Sequence, residues 1–268
     1  MCGTVTLTPA DGREMAKRSE CVLAGVIPSS NRIAEARDFA RGALAKGEPA
    51  GGLMIYLTFQ NDPANQYVRD GKADQEAYAR LAARPLDQRR DQIEAIEGLG
   101  FAAGKGNRPA GMLLASYFHD TVAPQNVVRV DALVSLLMRD GDRPPQLERM
   151  AREADAIRRA GRATKASVRS FLEAHQQAVL AAIAGYKAQT GGGTCQKPAL
   201  KSLSSGDIAA AEYLPLKGKL VADSYLMRGE WSEFWLFDGC GQEIPVKVSF
   251  RADGWGGSRF TAVHNKGG

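Results

Sequence analysis

The sequence has little histidine, few aromatic residues and none of the short signatures that announce a catalytic centre. Its three histidines, His119, His175 and His264, lie far apart, and none has a second ligand at metal spacing, so neither a metal site nor a cofactor is expected. There is no G-x-S-x-G elbow, no S-x-x-K pair, no H-E-x-x-H helix, no phosphate loop and no EF-hand. No run approaches the roughly 18 apolar residues of a membrane-spanning helix. Met1-Cys2-Gly3 has neither the basic nor the apolar region of a secretory leader. Phe, Trp and Tyr together make up 7% of the chain, which makes any cluster of them informative.

What is present is the composition of a globular protein, with 44% hydrophobic and 24% charged residues and a net charge of +5. At 268 residues there is room for two modest domains. Four cysteines lie in two pairs, one near each end of the chain, and none has Cys-x-x-Cys spacing. Disulfides Cys2 with Cys21 and Cys195 with Cys240 are expected, which places the chain in an oxidising compartment and implies that a leader has been removed. Two alternatives stand beside this: four free thiols, or a lipidated Cys2 that leaves Cys21 unpaired.

Residues 1–29 read as a short mixed segment, with Thr4 to Leu7 alternating like a strand and Asp11-Gly12 a turn. Helical periodicity then runs almost unbroken to residue 187. Ser30 or Asn31 caps a first helix, Pro49 opens a second, residues 73–83 give a short one, and Asp87 caps a longer one ending at Gly104. Helices follow from Pro109, over 127–138, from Pro144 to about Gly161, and over 163–187, where Val168, Phe171, Leu172, Val179, Ile183 and Tyr186 form a stripe. Between them one joint recurs: Lys-Gly-Glu-Pro at 46–49, Lys-Gly-Asn-Arg-Pro at 105–109 and Gly-Asp-Arg-Pro at 141–144. Each pairs a glycine suited to end a helix with a proline suited to open one, so helical hairpins are predicted.

Gly106 and Gly141 are 35 residues apart, close to the period of about 34 found in tetratricopeptide repeats. With its Ala-x-x-Gly punctuation, the stretch 33–161 resembles the Sel1-like and tetratricopeptide class of bacterial helical repeats. The resemblance implies a curved scaffold for protein or peptide partners and brings no catalytic residues.

Composition changes at Thr190-Gly191-Gly192-Gly193-Thr194, read as a flexible hinge. Beyond it Ile244, Val246, Val248 and Phe250 alternate with polar neighbours, and Trp231, Glu233, Trp235 and Phe237 alternate with Ser232, Phe234, Leu236 and Asp238. With turns at Asp238-Gly239 and Asp253-Gly254, and strands over 219–227 and 259–263, this predicts a four-stranded antiparallel meander. A short helix over 207–211 would cover one face. The Trp-x-Glu-x-Trp run, the Cys-Gly turn and the alternating strand resemble a small bacterial envelope module with no assigned activity.

Two surfaces are candidates for binding. Between residues 143 and 165 seven cations, among them Arg149, Arg152, Arg158, Arg159 and Arg162, stand against three acids, giving four of the five net charges. That excess suits an acidic protein, an envelope polymer or an anionic lipid head group, and equally a solvated helix with internal ion pairs. No aromatic interrupts it to stack a base, which argues against nucleic acid. The second candidate is the cluster of Trp231, Phe234 and Trp235, which meets either a partner or the long helix over 163–187. Glu94 and Glu97 with Asp91 have the spacing of an acid pair and equally of an exposed helix face.

The sequence therefore predicts an α+β protein: a helical, repeat-like domain over 1–189 including the disulfide-pinned 1–29, a hinge at 190–194, and a small α+β domain over 195–268. The expected function is that of a periplasmic or secreted envelope protein that binds or assembles a protein or an anionic envelope partner. The alternative is an envelope enzyme, or an immunity-type inhibitor of an enzyme or toxin, with its site in a groove between the domains.

Overall fold

The computed structural model describes residue 2 and residues 10–139, 141, 143–160 and 164–265. The expected strand at Thr4 to Leu7, like Arg162, lies outside the described residues. The chain forms two compact units: residues 1–114 with 215–222, and residues 115–214 with 223–268. The predicted hinge at 190–194 therefore falls inside the second unit.

In the first unit, α1 (Gly12–Leu23), α2 (Arg32–Ala45), α3 (Pro49–Asn61), α4 (Gln75–Ala82) and α5 (Arg90–Gly104) precede α6 (Arg108–Asp120), which runs into the second unit. The α1 segment was expected to be irregular. Its Asp11-Gly12 pair starts a helix instead, because the Asp11 side chain accepts the Glu14 amide at 2.8 Å and the residues that follow are strong helix formers. The Cys2–Cys21 disulfide joins the end of that helix to the preceding chain.

The recurring joints are alike at the level of atoms. Gly47 and Gly106 have φ of 77° and 82°, and in each the next amide reaches back to the third-last helical carbonyl: Glu48 to Ala43 at 3.1 Å and Asn107 to Ala102 at 3.0 Å. Where α3 crosses α5, Gly52 meets Gly98 backbone to backbone, and a Cβ on Gly52 would lie 2.3 Å from the Gly98 carbonyl oxygen. Asp87 does not cap α5. Arg89 stands at that position, 3% exposed, and its guanidinium donates to the carbonyls of Leu81, Ala82 and Arg84, closing the end of α4. Between α3 and α4 an Asp70-Gly71 turn joins a two-stranded ribbon, β1 (Val68–Arg69) and β2 (Lys72–Ala73).

In the second unit, α7 (Asn126–Leu137), α8 (Pro145–Arg159) and α9 (Val168–Gln189) precede an antiparallel sheet of β3 (Ala199–Ser205), β4 (Ala209–Tyr213), β5 (Leu226–Gly239), β6 (Gln242–Ala252) and β7 (Ser258–His264). Its order is β3-β5-β6-β7, with β4 also paired to β5, beside the half that β3 leaves free. The α+β class and the β5–β6–β7 meander are as predicted. In place of the helix expected over 207–211, residues 209–211 begin strand β4: alanine favours helix, but the open edge of β5 at 226–230 offers backbone partners, and pairing overrides propensity. The strand expected over 219–227 is confined to its end, where β5 begins, and residues 215–222 belong to the first unit.

The α9 helix, packed against the sheet, buries Ala174, Ala178, Ala182 and Gly185, whereas Leu172, Val179 and Ile183 of the expected stripe are only half-buried. Small residues bring helix and sheet so close that a Cβ on Gly185 would lie 2.5 Å from the His264 ring. Phe171 contributes bulk at one end, 4.9 Å from the Trp235 ring, the contact expected between the long helix and the tryptophan strand. The glycines after α9 act as a cap: the Gly192 amide donates to the Lys187 carbonyl at 2.9 Å, and the Gly193 amide to Thr190 Oγ1 at 2.9 Å. Two residues on, Cys195 is bonded to Cys240 at the β5–β6 turn.

Candidate functional site

The alternation along β5 divides its side chains between two environments. Trp231, Glu233, Trp235 and Phe237 face the interior of the second unit, 4%, 0%, 1% and 0% exposed, and Phe234 on the opposite side is 47% exposed. Of the three aromatic residues expected at a partner surface, Trp231 and Trp235 are buried and Phe234 is exposed. Trp231 stacks on Phe250, centroids 5.0 Å apart, and Trp235 packs among Phe171, His175 and Phe237. Burial lowers the pKa of His175, holding that ring towards its neutral form.

Glu233 occupies the centre of this core and is fully partnered. Its Oε1 accepts from Thr164 Oγ1 at 2.8 Å, the Lys165 amide at 2.9 Å and Trp231 Nε1 at 3.2 Å, and its Oε2 from Trp235 Nε1 at 2.9 Å. The Lys165 ammonium reaches past it to the Gly206 carbonyl and Asp207. The role of Glu233 was not read from sequence, although a carboxyl at an inward position between two indoles is itself the signal: each indole needs one acceptor when buried.

The arginine-rich helix α8 buries Leu147, Met150, Ala154 and Ile157. Spacings of three and four then place Arg149, Arg152 and Arg159 on its opposite stripe, all exposed, with Arg143 in the loop before it. Arg158 stands to one side, joined to Asp155 and, at 3.4 Å, to Asp131 of α7. Arg159 pairs with Asp155 at 2.9 Å and Arg149 approaches Glu153 at 3.9 Å. Arg143 and Arg152 meet no carboxylate among the described residues. The cluster thus combines internal ion pairs with cations left for solvent.

At the end of α6, His119 carries a carboxylate on each ring nitrogen: Asp120 on Nδ1 at 2.7 Å and Glu153 of α8 on Nε2 at 2.8 Å. Burial of the ring works against its charge, yet the hydrogen bonds to Asp120 and Glu153 outweigh it and raise the pKa above the ordinary histidine value. Two acceptor partners require two N–H donors, which only the imidazolium has.

The carboxylates of α5 are engaged. Arg41 binds Glu94 through two hydrogen bonds at 2.7 and 2.6 Å, Arg37 binds Asp91 at 2.7 Å, and Glu97 accepts the Lys217 amide at 2.6 Å. Beside them an open groove of about 530 Å³ has an apolar floor of Leu44, Ile93 and Phe101. Among the described residues no three His, Cys, Asp or Glu side chains converge as a metal site, and no helix is long and apolar enough to cross a membrane. No family model matches the sequence, and neither a curated protein nor a solved structure matches it.

Proposed function

We propose that the protein is an exported envelope protein, periplasmic or secreted, that serves as a binding scaffold, with the α8 arginine stripe as its contact for an anionic partner. The observation that carries this reading is the exposure of Arg149, Arg152 and Arg159 on one stripe, with Arg143 and Arg152 uncompensated by any described carboxylate. Two disulfides in a chain of this size support export, because such bonds persist in oxidising compartments. The repeated helical joints support a scaffold, since each ends one helix and opens the next beside it. Arginines on a helix face act on a partner through the summed field, about 1 kcal/mol each at an anionic surface.

The test is sedimentation with vesicles of phosphatidylglycerol and phosphatidylethanolamine against vesicles of phosphatidylethanolamine and phosphatidylcholine. Replacing Arg149, Arg152 and Arg159 by glutamine is expected to weaken binding to the anionic vesicles by about 3 kcal/mol, on the order of 100-fold, at low salt. The melting temperature should stay within a few degrees, because exposed ion pairs contribute little to folding. Equal binding by the native chain and the triple variant would return the stripe to a solvated helix face.

A further inference from the structure

α9 covers one face of the sheet, and the other face is composed as a binding platform. The register places its side chains in rows across the strands. In one row Ser204, Phe234, Lys247 and Val263 stand on β3, β5, β6 and β7, and in the next Ser232, Ser249 and Thr261 stand on β5, β6 and β7. Phe234 is 47% exposed and Val263 56%, so an aromatic ring and an aliphatic side chain flank a lysine on an open surface. Directly opposed residues on neighbouring strands have Cβ atoms about 5 Å apart, which sets the Lys247 stem beside the Phe234 ring. No described carboxylate pairs with Lys247.

A third row carries a repulsion. Arg251 stands opposite Arg259, and Glu230, opposite Arg251 on its other side, pairs among the described residues with Arg251, at 3.2 Å. Like charges directly across a ladder destabilise a sheet. An exposed face that keeps two arginines opposed, a lysine unpaired and a phenylalanine uncovered has a surface arranged for something other than its own stability. Lys247 and Arg259 are the uncompensated cations, separated along the strand by roughly 13 Å, with the Ser232, Ser249 and Thr261 hydroxyls between them.

We infer that this face binds an acidic polysaccharide, a glycan of uronate type, independently of the α8 stripe. The flat apolar side of a pyranose ring lies on Phe234, whose π face is negative and attracts polarised C–H groups. Lys247 and Arg259 take carboxylates on successive parts of the chain, and the hydroxyl row exchanges hydrogen bonds with sugar hydroxyls. A single-stranded nucleic acid fits less well, since it needs several rings to stack successive bases and this face has one exposed.

The experiment uses the full chain and polygalacturonate oligomers in a direct binding titration, with neutral dextran and oligothymidylate of similar length as comparisons. The variant with Arg149, Arg152 and Arg159 replaced by glutamine, which lacks the α8 cations, should bind polygalacturonate and neither comparison at equal concentration, and the substitutions below are made in that background. Phe234→Ala leaves the net charge unchanged and should weaken that binding by about tenfold, and made in the native chain it should leave vesicle binding intact. Lys247→Gln should weaken it by a similar factor, whereas Lys219→Gln, which removes the same charge elsewhere, should change it less than twofold. The inference is overturned if Phe234→Ala binds as its parent variant does, if the two lysine variants behave alike, or if dextran or oligothymidylate binds as well. Because the variants separate the two ligands, loss of the α8 reading and loss of this one would be seen independently.

Discussion

A histidine with a carboxylate on each ring nitrogen makes stability depend on pH in a definite direction. The folded-state pKa of His119 is raised, so its contribution is fully present below the unfolded pKa of about 6.5 and is lost as pH rises through the higher folded value. The charged groups that face it are Asp120 beside it on α6 and Glu153 on α8, with Arg149 at 3.9 Å from Glu153. His119→Gln should therefore cost about 1–2 kcal/mol near pH 5.5, where the carboxylates are still charged, and markedly less above pH 8. Denaturant midpoints of both proteins at the two pH values test this, and a difference of equal size at both would remove the charged histidine from the account. Residues of this kind are only half legible in sequence. The place of His119 at a helix end, where a positive charge suits the dipole, follows from helical periodicity, but Glu153 is 34 residues away and sequence spacing carries no information about that distance. Glu233 illustrates the complement, since its inward position follows from strand alternation and its donors Thr164 and Lys165 do not.

At the level of elements, the glycines separate into two kinds with different energetic consequences. Gly47 needs its left-handed φ of 77° and has open space where a side chain would be, whereas Gly52 lies where two helix backbones touch. Gly47→Ala should cost about 1 kcal/mol for conformation alone. Gly52→Ala pushes its methyl into the Gly98 carbonyl, where only backbone can give way, and should cost about 2–3 kcal/mol despite alanine's better helix propensity. Thermal denaturation of the two variants decides the matter; a Gly52→Ala cost no greater than that of Gly47→Ala would mean that α3 and α5 slide apart freely. The joint at Gly47 was legible because glycine and proline act within four residues of themselves. The Gly52 crossing was not, because its cause is a second glycine 46 residues on. Strand β4 failed for a related reason: its alanines encode helix locally, and the edge of β5 that reassigns them is distant in sequence.

For the whole molecule, the two disulfides divide their effects between the two compact units. Cys2–Cys21 lies in the first and closes 19 residues, and Cys195–Cys240 joins two residues of the second and closes 45, a loop that contains β3, β4 and β5 together with residues 215–222 of the first unit. Chain-entropy reasoning assigns about 3 kcal/mol to the shorter loop and about 4 to the longer, through the conformations each bridge removes from the unfolded chain. All three tryptophans, Trp231, Trp235 and Trp255, belong to the second unit, so their emission reports on that unit alone. Replacing Cys195 and Cys240 by alanine should thus lower the tryptophan-detected stability by about 4 kcal/mol. Replacing Cys2 and Cys21 should lower the helical circular-dichroism signal at a lower denaturant concentration and leave the tryptophan transition close to that of the native protein. Equal displacement of the tryptophan curve by both pairs of substitutions would mean that the chain unfolds as one cooperative body, and the assignment of one bridge to each unit would lose its energetic meaning.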